Sequence, residues 1–151
     1  MKAPLVIIFF TLVLGLSAAC GGNNNQQAGP SPVLVTENFT GTLNPMGTAM
    51  HTFTVNYGGN YSDASITINS LTAVSDGSAK AITIGVGFGN VNVGVCTLSS
   101  QYTNPAAPLN TELATSVQPF IAGPYCVQVF DNPASPTVPE PLTYAITVKH
   151  F

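Results

Sequence analysis

Gly123-Pro124-Tyr125-Cys126-Val127-Gln128-Val129-Phe130-Asp131 decides the reading of this chain. Gly-Pro opens it as a turn, and strict alternation follows. Tyr125, Val127 and Val129 fall on one face of a strand, Cys126, Gln128 and Phe130 on the other. The same grammar recurs on both sides of it. Val35, Glu37 and Phe39 begin a first strand, with Gly41 to Gly47 expected as a loop. His51 to Val55 alternates with Phe53 and Val55 inward. A turn follows at Asn56 to Tyr61, built on Gly58-Gly59. Ser65 to Leu71 points Ile66 and Ile68 inward, and Asp76-Gly77 is a turn pair.

Farther on, Ile82, Ile84, Val86 and Phe88 alternate with small residues. Gly89-Asn90 is expected to turn the chain before Val91, Val93 and Val95 lead to Cys96. Gln101 to Asn110 is polar and holds prolines, which predicts a loop. Leu113, Thr115 and Val117 make a weaker strand ending at Pro119. Asn132 to Pro141 contains four prolines and must be extended. Leu142, Tyr144, Ile146 and Val148 form the last strand. About eight short strands with no sustained helical period over residues 33–151 predict an all-β fold, an antiparallel β-sandwich.

Composition narrows the function. Charged residues are 6% of the 151, against about 25% in an average soluble domain. Arginine is absent and there are three lysines, so a nucleic-acid partner is excluded for want of phosphate-binding groups. A basic patch for anionic lipid is excluded on the same ground. The exposed polar surface must be built from Thr, Ser, Asn and Gln.

The first residues read as an address. Lys2 precedes an apolar run from Leu5 to Leu16, too short to span a bilayer and matching a secretory core. Ser17-Ala18-Ala19-Cys20 then resembles a bacterial lipobox, with Ser17 where leucine is commonest. That resemblance implies cleavage after residue 19, a lipoprotein signal peptide over 1–19, and acylation of Cys20 by diacylglycerol and a fatty acid. An ordinary signal peptide would leave Cys20 a spare thiol. Cysteine arithmetic favours the lipid: three cysteines in an exported chain leave one over. Residues 20–32 lack apolar periodicity and are predicted to be a flexible tether. Gly21 is not the aspartate linked to inner-membrane retention in enterobacteria, which points to the outer membrane or cell surface.

Cys96 and Cys126 lie at or within predicted strands of an exported domain, where a disulfide is the default. The rival is a Cys/His metal site. It would have only His51 and His150, with no C-x-x-C or H-x-x-x-H spacing.

Four pieces of the globular part are similar to the bacterial pre-peptidase C-terminal domain. They are Asn38 to Leu43, Met50 to Val55, Gly123 to Val129 and Tyr144 to Val148. The resemblance implies a jelly-roll-like β-sandwich that serves as an accessory or binding module. No peptidase domain accompanies it here, so the family's peptidase context does not carry over.

No other motif points to chemistry. Glu37, Asp63, Asp76, Glu112, Asp131 and Glu140 form no D-x-D cluster or EF-hand loop, so no metal or cofactor is expected. Asp76 and Asp131 read as turn formers. There is no G-x-S-x-G elbow, and His51 and His150 read as structural or surface residues. Gly85, Gly87 and Gly89 sit in a strand, where they permit close approach or a bulge. Tyr57, Tyr61 and Tyr102 sit in predicted loops and could stack on a sugar ring or anchor a protein. The expectation is a non-enzymatic, membrane-anchored envelope module with a protein partner, or else a polysaccharide-binding module using those tyrosines.

Overall fold

A computed structural model describes residues 32–56, 64–114 and 121–151. It is all-β: β1 (Val35–Leu43), β2 (Thr48–Val55), β3 (Ser65–Ala73), β4 (Ile84–Asn92), β5 (Val95–Ala107), β6 (Glu112–Ala114), β7 (Gly123–Phe130) and β8 (Leu142–His150). Two four-stranded antiparallel sheets carry the orders β1-β8-β3-β6 and β2-β7-β4-β5. The pairings β1 with β8, β2 with β7, β3 with β6 and β4 with β5 are those of one long hairpin, folded at the β4–β5 turn and wrapped into two layers. That is jelly-roll topology.

The predicted alternation places the core. Phe53 and Val55, Ile66 and Ile68, Ile84, Val86 and Phe88, Tyr125, Val127 and Val129, and Tyr144, Ile146 and Val148 all point between the sheets and are buried. Burial of this apolar surface is the main stabilising term, at roughly 25 cal/mol per Å² removed from water. The solvent face of the first sheet shows how a charge-poor chain stays wetted. Asn69 Nδ2 donates to Thr147 Oγ1 at 2.7 Å, and Thr147 Oγ1 donates to Asn38 Oδ1 at 2.8 Å. A register shift between Ile68 and Ser70 swings Asn69 out to make this ladder.

Several boundaries differ from the sequence reading, among them those that shape the site. β1 runs through Gly41 to Leu43, so the expected loop shrinks to a turn in which Gly47 N–H donates to Asn44 O. Gly89-Asn90 does not turn; Gly89 pairs with Leu98 on one side and Cys126 on the other. The turn is Val93-Gly94, with φ of 48° and 77°, both left-handed as a type I′ hairpin requires. Gln101 to Ala107 is strand, not loop. Pro105 is tolerated because β5 is an edge strand. Extra residues between Leu98 and Thr103 bulge opposite Gly87 to Gly89, closed by Thr103 Oγ1 donating to Ser99 O at 2.6 Å. Finally, β8 continues to His150. The strand predicted at Leu113 is short, and Thr115 and Val117 lie outside the described residues.

Candidate functional site

The predicted disulfide is present: Cys96 and Cys126 are joined, with S–S 2.04 Å and Cα–Cα 5.8 Å. They lie on the outer face of the second sheet, on strands separated by β4. Direct neighbours in a sheet are ~4.8 Å apart, so second neighbours stand near 10 Å unless one strand curls. β5 does curl. Its Thr97 carbonyl lies directly over Gly89, where any Cβ would collide with it. Gly85 and Gly87 are covered likewise, by the Phe130 ring and by Thr103 and Leu98. The three glycines of β4 therefore clear the outer face, and the expectation of close approach and bulging holds.

Both histidines point inward at the β1/β2 edge of the sandwich. His51 Nε2 lies 2.7 Å from the Tyr144 hydroxyl, and its ring stacks on Phe39 at 4.7 Å between centroids. Burial pushes the His51 imidazole below its ordinary value and the Tyr144 phenol above its own, because each charged form loses solvation. In the neutral ring with its proton on Nδ1, the hydroxyl donates to Nε2. His150 is buried, packs on Phe53 at 4.9 Å, and sets Nε2 2.9 Å from Glu37 Oε1. A hydrolase triad needs one histidine between a carboxylate and a nucleophile. Here His51 faces a phenol and His150 a carboxylate; the first contact bridges the two sheets from β2 to β8, and the second ties β8 to its neighbour β1. The signal for this seam was present as inward register: residues 37, 51, 144 and 150 all fall on core-facing positions.

Asp131 is a buried anchor and not merely a turn former. Its Oδ2 accepts from Met46 N–H at 2.9 Å, and its Oδ1 accepts from Thr137 N–H at 2.9 Å and Val138 N–H at 3.4 Å. One carboxylate thus holds the β1–β2 turn and the proline-rich loop together. Among the described residues, no three His, Cys, Asp or Glu side chains gather as a metal site.

Tyr102 is not on a loop. It sits in β5, half-buried against the core cluster, because the strand continues past the bulge. Tyr57, Tyr61 and Cys20 lie outside the described residues, as does Asp63. A shallow groove of about 350 Å³ opens where β1 and β3 begin and β6 and β8 end, lined by Leu34, Ala64, Ser65, Glu112, Lys149 and Phe151.

No protein-family model matches the chain, and no curated protein matches it. A solved structure, the crystal structure of the Yersinia pseudotuberculosis-derived mitogen, is similar at 14% sequence identity with a TM-score of 0.45, over 78% of this chain and 86% of that one.

Proposed function

We propose that the chain is an exported lipoprotein, anchored by acyl groups on Cys20, whose jelly-roll body is a non-enzymatic interaction module of the bacterial envelope. The observation that carries this reading is the Cys96–Cys126 disulfide. Disulfides form and persist in oxidising compartments, and this one uses two of the three cysteines. Cys20, behind Ser17-Ala18-Ala19, is then the remaining cysteine, placed where a lipobox puts its acceptor. Multiple acyl chains give durable anchoring where one is marginal. The resemblance of four strand segments to the pre-peptidase C-terminal domain implies an accessory role, and the structural contacts of His51, His150 and Asp131 fit a body that binds rather than reacts.

The test is expression of the full chain in a bacterial host fed an alkyne analogue of palmitate. The expected result is label incorporation and membrane fractionation, both lost in Cys20→Ala, together with a discrete envelope partner captured by photo-crosslinkers at exposed positions such as Met50. Unlabelled wild-type protein in the soluble fraction overturns the anchor. Turnover of a substrate by the purified protein overturns the non-enzymatic body.

A further inference from the structure

Among the described residues, one end of the sandwich carries most of the exposed large apolar side chains, including the three most exposed, Val93, Ile121 and Val33. In the first sheet this end holds Val35 opposite His150, and Ser65 opposite Lys149 and Ala114. In the second sheet it holds Val55 opposite Gly123, and the β4–β5 turn beyond Asn92. Asn56 N–H donates to Phe151 O at 3.1 Å and ties the two sheets together there. Val93 at the turn is 96% exposed, Val95 64%, and Ile121, two residues before β7, 72%. Val33 and Leu34, which lead into β1, are exposed at this same end.

This tip is unusual in two independent respects. Val93 has a φ of 48°, a left-handed conformation that β-branched residues rarely adopt. The natural first residue of such a turn is Asn or Asp, which would be cheaper and wetter. The sequence instead places valine there and a second valine beyond Gly94. Charge is also missing from its second-sheet side: no Asp, Glu, Lys, Arg or His occurs between Lys80 and Glu112, or between Glu112 and Asp131, and the charged Glu112 and Lys149 of this end lie on the first sheet. The β4–β5 hairpin and the start of β7 can therefore leave water without stripping an ion of its hydration.

The position of the chain's N-terminal entry says what covers this end. Val33 emerges from it, and 12 residues separate Val33 from Cys20. The flexible tether expected from its composition would reach about 20 Å on average, shorter than the ~30 Å length of a nine-residue strand. The geometry points to a lipid bilayer as the occupant: Val93, Val95 and Ile121 dip into its headgroup–acyl boundary, so that the tethered domain stands on this end with the opposite end, at Met46 and Val74, facing away. The inference rests on the lipid-anchor reading. It needs no basic patch, because the contact is apolar.

The absence of tryptophan supplies the assay. Full-length lipidated protein carrying Val95→Trp, Ile121→Trp or, as the control at the far end, Val74→Trp is reconstituted into neutral phosphatidylcholine vesicles with or without brominated acyl chains. Vesicle flotation is scored alongside fluorescence. The expected result is flotation of all three, with at least twofold bromine quenching at 95 and 121 and none at 74. Flotation with equal quenching at all three positions overturns the inference and leaves the anchor standing. Blue-shifted but unquenched emission at 95 and 121 means that a second copy or another protein covers the tip, and also overturns it. Failure to float overturns both readings.

Discussion

Cys96 and Cys126 are bonded across an intervening strand, and the residue that allows it is Gly89, over which the Thr97 carbonyl passes. The bond closes a 30-residue separation that contains the β5 bulge, all of β6 and the connection into β7.

Replacing both cysteines by alanine should lower unfolding free energy by about 3–4 kcal/mol, the chain-entropy value for a loop of this length. Urea denaturation of oxidised wild type against the double variant measures it. A loss below ~1 kcal/mol would mean that the curl of β5 holds without the bond.

Gly89→Ala should act on the same feature from the other side. Its methyl meets backbone rather than a yielding side chain, so β5 must lift away, at an overpacking cost of about 1–3 kcal/mol. Slowed closure of the disulfide should appear as titratable thiol during oxidative refolding. Gly77→Ala is the contrast: Gly77 has a φ of 71° but open space around it. It should cost about 1 kcal/mol for backbone strain alone and leave thiol titration unchanged.

Asp131→Ala removes an acceptor from three backbone N–H groups at a residue that is 2% exposed. Only the Val138 donor is buried, and the Met46 and Thr137 donors are part-buried; with an unpaired buried donor costing ~1–3 kcal/mol, a net loss of about 1–3 kcal/mol is expected. Faster hydrogen exchange should appear at Met46 and Thr137 together, since one carboxylate serves both segments. Unchanged exchange at Met46 would show that the β1–β2 turn holds itself.

His51 gives the fold a pH dependence of definite sign. Burial depresses its folded value below the ordinary 6.5 at which the unfolded chain titrates. The unfolded state therefore binds more protons in that interval, and stability rises with pH across it. Stability should be full above pH ~6.5 and decline as acid carries the solution down to the folded value. His51→Gln should flatten this limb in thermal melts taken between pH 7 and pH 5. An unaltered slope would assign the limb to other groups. Tyr144→Phe, which removes the hydroxyl facing His51 Nε2, should cost about 1 kcal/mol at neutral pH.

How much of this was legible beforehand follows from the range of the forces involved. Alternation of apolar residues is a property of neighbours, so the inward faces of β2, β3, β4, β7 and β8 could be read directly. The cysteine pair was legible because, on the expectation of export read from the first residues, a disulfide leaves few alternatives. The turn at Val93-Gly94 was not, because Gly89-Asn90 carries the better local turn chemistry. Gly89 is spent on letting β5 approach, a demand made by a strand that comes later in the chain. Tyr102 was misplaced for a related reason: Pro105 and the polar run around it look like a loop until an edge position makes them acceptable in a strand.

From the sequence by itself come the all-β class, the number of strands, the buried faces, the paired sulfurs and the charge-poor surface. Each depends on residue type and short-range spacing, which a linear chain already contains. The tertiary structure alone decided that β1 pairs with β8 and β3 with β6, that Asp131 serves two distant loops, that His51 meets Tyr144 across the two sheets while His150 meets Glu37 on the adjacent strand, and that Val93 and Val95 share an end with the chain's entry. These relations join residues tens of positions apart, and they exist only once burial of both sheet faces has selected one wrapping of the hairpin.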